Sequence, residues 1–92
     1  MPLLLITYDL RAETKRPPIV SEIKAIYPSH CKICDSSYVV ETNDSPDQAN
    51  AKLDHLFDDN DWRAIFRLRP GDCWQGWIEE GAAAWLNPRL CP

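Results

Sequence analysis

Leu3-Leu4-Leu5-Ile6-Thr7-Tyr8-Asp9-Leu10-Arg11 is the stretch from which the rest of the chain is read. Four contiguous apolar residues followed by Thr and Tyr, bounded by charge, have the pattern of a strand buried on both faces. The run ends at Asp9, which places a carboxylate where a buried strand emerges at the edge of its sheet. Such a position is rigidly held yet reaches solvent, and it suits a functional site.

Working outward, Arg11 to Arg16 is polar and reads as a loop, and Pro17-Pro18 sets up a helix start. Ile19, Ile23 and Ile26, at spacings of four and three, give that helix one apolar face, and Pro28 stops it. His30 to Thr42 has strand character interrupted at Asp35-Ser36-Ser37, either as one strand with a bulge or as a hairpin. Ser45, Pro46 and Gln48 spell a capping box, so a second helix is expected from Pro46 to about Phe57. From Trp62 to Arg69 the chain alternates: Trp62, Ala64, Phe66 and Leu68 on one side, Arg63, Ile65, Arg67 and Arg69 on the other. That is a strand with a basic face, closed by the turn Pro70-Gly71-Asp72.

Ninety-two residues suffice for one domain and are too few for two. The order strand, helix, hairpin, helix, strand predicts an α+β fold, a ferredoxin-like βαββαβ sandwich with both helices on one face of an antiparallel sheet. Residues 1–72 are expected to form it. Residues 73–92 form a Trp-rich tail that docks on the sheet or on a partner subunit, because Trp74, Trp77 and Trp85 are too apolar to be left fully exposed. Gly76 and Gly81 weaken any helix there, and Asn87-Pro88 is expected to be irregular.

Hydrophobic content of 45% with 26% charged residues is that of a globular chain. No apolar run is long enough to span a membrane, and no basic segment precedes the first strand as in a signal peptide. A cytoplasmic location is therefore expected, and Cys31, Cys34, Cys73 and Cys91 are expected as thiols. The net charge of −4 argues against broad, non-specific nucleic-acid binding but leaves room for a local basic patch.

Leu5-Ile6-Thr7-Tyr8-Asp9-Leu10-Arg11 resembles the opening of small proteins related to the CRISPR-associated Cas-two family, especially its SinR-type branch. That branch begins with a hydrophobic strand ending in Ser-Tyr-Asp-Leu-Arg. Asp35-Ser36-Ser37-Tyr38-Val39-Val40-Glu41-Thr42 is similar to a second segment of the same branch, and the capped second helix, acidic loop and basic strand to a third. Toxin–antitoxin proteins of VapD and GhoS type are more distant relatives. The resemblance implies a ferredoxin-like homodimer that handles DNA or RNA. It further implies that Asp9 matches the proposed ligand for Mg²⁺ or Mn²⁺ in nuclease members, while other members serve as a silent scaffold. The segment around His30–Cys34 and the Trp-rich tail depart from the pattern.

Asp9 is accordingly the candidate catalytic residue and metal ligand, two copies across a dimer axis supplying the oxygen donors such a cation needs. Its plainer role is to cap the following loop. Arg11, Lys15, Arg16, Arg63, Arg67 and Arg69 are candidate phosphate contacts on one positive face; the alternative is a solvated face, or pairing of Arg63 and its neighbours with Asp58–Asp61. Cys31-Lys32-Ile33-Cys34, beside His30, has the spacing of a zinc or redox half-site but lacks a second such pair. Ser36 and Ser37 have no evident base, Tyr8 reads as core and His55 as surface. The expected function is that of a metal-dependent nuclease or nucleic-acid scaffold. The other class is a protein-interaction module, such as an antitoxin or a defence or counter-defence factor, whose contact surface is Trp74, Trp77 and Trp85.

Overall fold

A computed structural model describes residues 2–91. Strand β1 (Leu3–Asp9) is followed by helix α1 (Arg16–Ile26), strands β2 (His30–Cys34) and β3 (Ser37–Glu41), helix α2 (Pro46–Leu53), strand β4 (Trp62–Leu68) and helix α3 (Glu80–Leu90). The four strands form one sheet in the order β2-β3-β1-β4, every neighbouring pair antiparallel. β1 and β2 therefore run parallel with β3 between them, and β3 and β4 run parallel with β1 between them.

β1 is central, and the sequence explains why it is covered twice. Leu4, Ile6 and Tyr8 face α1 and α2, where they meet Ile19, Ile23, Tyr38, Val40, Ala49 and Leu53. Leu3 and Leu5 face the opposite way, into a second cluster with Val39, Leu86 and Leu90. Successive side chains of a strand alternate between faces, so an unbroken apolar run serves both.

The interruption at Asp35-Ser36 resolves as a hairpin turn between β2 and β3, with the register shifting between Lys32 and Cys34. Ser45 caps α2 as expected: its hydroxyl accepts from the Gln48 amide at 3.2 Å, and the Gln48 side chain accepts from the Ser45 amide at 2.8 Å. The α-helix stops at Leu53 and continues as a 3-10 turn over Asp54–Leu56, slightly short of the expected end.

The tail lies on the sheet, but it is more regular than the glycines and Asn87-Pro88 led one to expect. Residues 80–90 form α3, with Pro88 inside its last turn, on the sheet face opposite the other two helices. Gly81 lies in the first turn, where amides have no intrahelical partner in any case. Buried Leu86 and Leu90 each contribute about 1.5–3 kcal/mol, enough to offset a cost of about 3 kcal/mol for an internal proline. Gly71, at φ +99° in the turn after β4, donates its amide to the Leu90 carbonyl at 2.7 Å and ties the end of α3 to the sheet. Among the described residues no helix is long and apolar enough to cross a membrane.

The cysteines also correct the sequence reading. Cys73 and Cys91 are joined as a disulfide that links the two ends of the tail, their Cα atoms 5.3 Å apart. Eighteen residues separate them in sequence, and only the return of α3 to the β4 turn brings them together. Cys31 and Cys34 remain thiols, the first buried and the second exposed.

Candidate functional site

α3 covers only part of its sheet face. It sits over Leu3, Val39 and Leu68 and leaves the other end of β1 and β4 open. On that open half the register sets Asp9 beside Trp62, Thr7 beside Ala64 and Leu5 beside Phe66. Asp9 is exposed at the end of β1, and it borders a shallow hollow of about 230 Å³ with Thr7, Trp62 and Ala64. Its carboxylate takes no hydrogen bond among the described residues, so it does not cap the following loop. Tyr8 points the other way into the core, where burial pushes its phenol pKa up and its hydroxyl donates to the Asp35 carbonyl at 3.1 Å.

The residue that organises the loops around Asp9 is Asp61. Its side chain is 0% exposed, and it accepts from the Arg11 amide at 3.0 Å, the Asp58 amide at 3.0 Å and the Lys15 ammonium at 2.8 Å. The Lys15 ammonium, followed by the two amides, holds the Asp61 carboxyl well below the usual range. The β1–α1 loop and the start of β4 are thereby fastened together.

The six candidate cations do not share one face. Lys15 is bound to Asp58 and Asp61. Arg16 grips Glu13 with two nitrogens, at 2.7 and 3.1 Å, and reaches the Asp35 carbonyl and Ser36 in the β2–β3 turn. The Glu13 carboxylate raises its already high pKa further. Arg63 lies on the helix-covered side of β4, where it donates to Asn50 at 2.6 Å, pairs with Asp54 and stacks over Phe57. Asp54 of the 3-10 turn is thus its acidic partner, and the Asp58–Asp61 loop takes Lys15. Ile65, between the arginines, packs against the core. Arg67 and Arg69 lie at the far end of β4; Arg67 makes one long bond of 3.4 Å to the Asp44 carbonyl, and Arg69, with its side chain 81% exposed, stands 3.7 Å from Asp72. Arg11 forms no ion pair among the described residues and shares a hollow with Trp62.

The tryptophans of the tail divide. Trp74 donates to Asn87 at 2.8 Å and Trp85 lies under the Arg89 guanidinium, both packed against the second core cluster. Trp77 is 99% exposed, so of the two expected docking places, the sheet or a partner subunit, it does not take the sheet. The Cys-x-x-Cys segment gathers no ligand set: among the described residues no three His, Cys, Asp or Glu side chains are placed to hold a metal. The Cys31 thiol is pushed up by burial and contacts the Ala82 carbonyl. His30 donates through Nδ1 to the Tyr27 carbonyl at 2.8 Å when that nitrogen carries the proton.

What the sequence reading missed is the exposure of Trp62 and Phe66, 75% and 54%. The alternation places them on one side of β4, and nothing local says that this side stays uncovered. No protein-family model, curated protein or solved structure matches the chain.

Proposed function

We propose that the protein is a ferredoxin-like, Cas-two-like module that handles nucleic acid, with Asp9 and the open half of its sheet as the working surface. The order β4-β1-β3-β2, two interleaved split βαβ units, supports the ferredoxin-like reading. The motifs around Tyr8-Asp9 and Asp35–Thr42 support the family reading. One observation carries the function: a carboxylate unengaged among the described residues, exposed at the end of a doubly buried strand and flanked by an exposed tryptophan. A cytoplasmic homodimer acting on DNA or RNA belongs with this reading.

A lone carboxylate does not make a divalent-cation site, so one chain by itself does not fit Mg²⁺ or Mn²⁺. Two copies of Asp9 brought together across a dimer axis, with phosphate oxygens of the substrate, fit such an ion. The chemistry it supplies is activation of water against a phosphodiester. Cleavage of labelled RNA and double-stranded DNA with Mg²⁺ or Mn²⁺ tests this, wild type against Asp9→Asn. Metal-dependent cutting that vanishes in the folded variant is the expected result, and equal cutting or none removes the catalytic role of Asp9.

The second reading, a non-catalytic protein-interaction module, is favoured by Trp77, which stands in solvent in a chain of net charge −4. An inert Asp9 together with a protein partner lost on Trp77→Ala would select it.

A further inference from the structure

We infer that Trp62 and Phe66 form a stacking platform for the bases of a single-stranded nucleic acid. The inference rests on the nucleic-acid reading above and names its substrate class.

The two rings lie four residues apart on one side of β4, about 13 Å along the strand. Between them the floor is low, made by Ala64 and its neighbour Thr7. Two large aromatic side chains left 75% and 54% exposed on a sheet face offer flat apolar surfaces that the described residues leave largely open. Bases of any sequence stack on such rings.

The charges around the rings match this occupant. Arg11 shares a hollow with Trp62 at one end, lined also by Asp59 and Asp61, and Arg69, just past the end of β4, stands with its side chain 81% exposed at the other; Arg67 points to the opposite side of the strand. Among the described residues Arg11 has no ion pair and Arg69 only a long one to Asp72, so these two are available to backbone phosphates. Asp9, directly across from Trp62, is an acceptor for the exocyclic amino group of a base stacked there.

A duplex fits poorly, because its bases repeat at about 3.4 Å within a closed stack and cannot splay onto rings so far apart. A second copy of the chain fits less well too. The exposed parts of the rings amount to roughly 200–300 Å², against about 800 Å² per partner in a stable interface.

Fluorescence anisotropy of labelled oligo-U RNA, oligo-dT DNA and a duplex of equal length tests the proposal, with EDTA present so that cleavage plays no part. Both single strands are expected to bind more tightly than the duplex, and tighter binding of RNA than of DNA would point to contacts with the 2′-hydroxyl. Trp62→Ala and Phe66→Ala are each expected to weaken binding by about 5- to 100-fold, Trp62→Phe to retain most of it and Trp77→Ala to leave it unchanged. Absence of single-strand binding at low salt, preference for the duplex, or affinity indifferent to both alanine variants would overturn the platform. Single-strand binding without any cleavage in Mg²⁺ leaves the platform standing and removes the nuclease. Asp9-dependent cleavage with binding indifferent to the rings does the reverse.

Discussion

Lys15 and Asp61 meet at 2.8 Å across 46 residues of chain, and the aspartate side chain is wholly enclosed. Neither residue is then available to a ligand. A lysine that counts as a phosphate contact in the sequence is, in the fold, the clasp between the β1–α1 loop and the start of β4.

This clasp predicts acid sensitivity. The Asp61 carboxyl ionises at an ordinary 3.8 when unfolded and lower when folded, so the unfolded chain binds more protons between the two values. The stabilisation is complete above the unfolded value and is lost as pH falls through the folded one. Asp44, held down by Lys52 and Tyr27, and Glu41, held down by Ser29 and Arg89, act in the same direction. Melting temperature is expected to fall below about pH 4. Asp61→Asn should lower it at neutral pH and remove part, not all, of the acid slope; a variant whose melting profile overlays wild type would show that the clasp contributes nothing.

Arg63 and Arg69 should behave differently although the sequence presents them alike. Arg63 is bonded to Asn50 and Asp54 and packed over Phe57, whereas Arg69 is in solvent. Arg63→Ala is expected to cost roughly 1 kcal/mol, partly through lost packing, and Arg69→Ala to stay within about 0.5 kcal/mol. Urea titration of both variants measures the contrast, and equal effects would contradict the geometry.

The disulfide predicts a thiol count. Native protein prepared without reductant should show one fast thiol, the exposed Cys34, and a second, Cys31, only on unfolding. Reducing Cys73–Cys91 should cost about 3 kcal/mol for a closed loop of this size. Four thiols in unreduced, unfolded protein would restore the sequence expectation for these cysteines.

α3 should be an integral part of the fold. Leu86 is buried against Leu3 and Val39, so Leu86→Ala is expected to cost about 2–5 kcal/mol. A loss well under 1 kcal/mol would mean that the tail folds or frays independently of the sheet. Differential scanning calorimetry, with one or two transitions, decides between these.

Much of the architecture was legible locally. The apolar run of β1, the three- and four-residue spacing of α1, the Ser45–Gln48 capping box and the alternation of β4 are signals that a short window contains, because helix and strand periods are properties of the backbone. Asp9 at a strand end followed from the same reading. The sequence by itself determined these elements, their order and that position.

What only the tertiary structure decided is which side of each element faces what. β4 has large apolar residues on both sides, Ile65 on one and Trp62 and Phe66 on the other, so alternation alone does not say which side is covered. Packing of α1 and α2 turned Ile65 and Arg63 inward, and α3, eleven residues long, reached Leu3, Val39 and Leu68 but left Trp62 and Phe66 uncovered. The partners of the cations and the pairing of Cys73 with Cys91 were hidden for the same reason. They are set by contacts between residues distant in the chain, and these have no local signature.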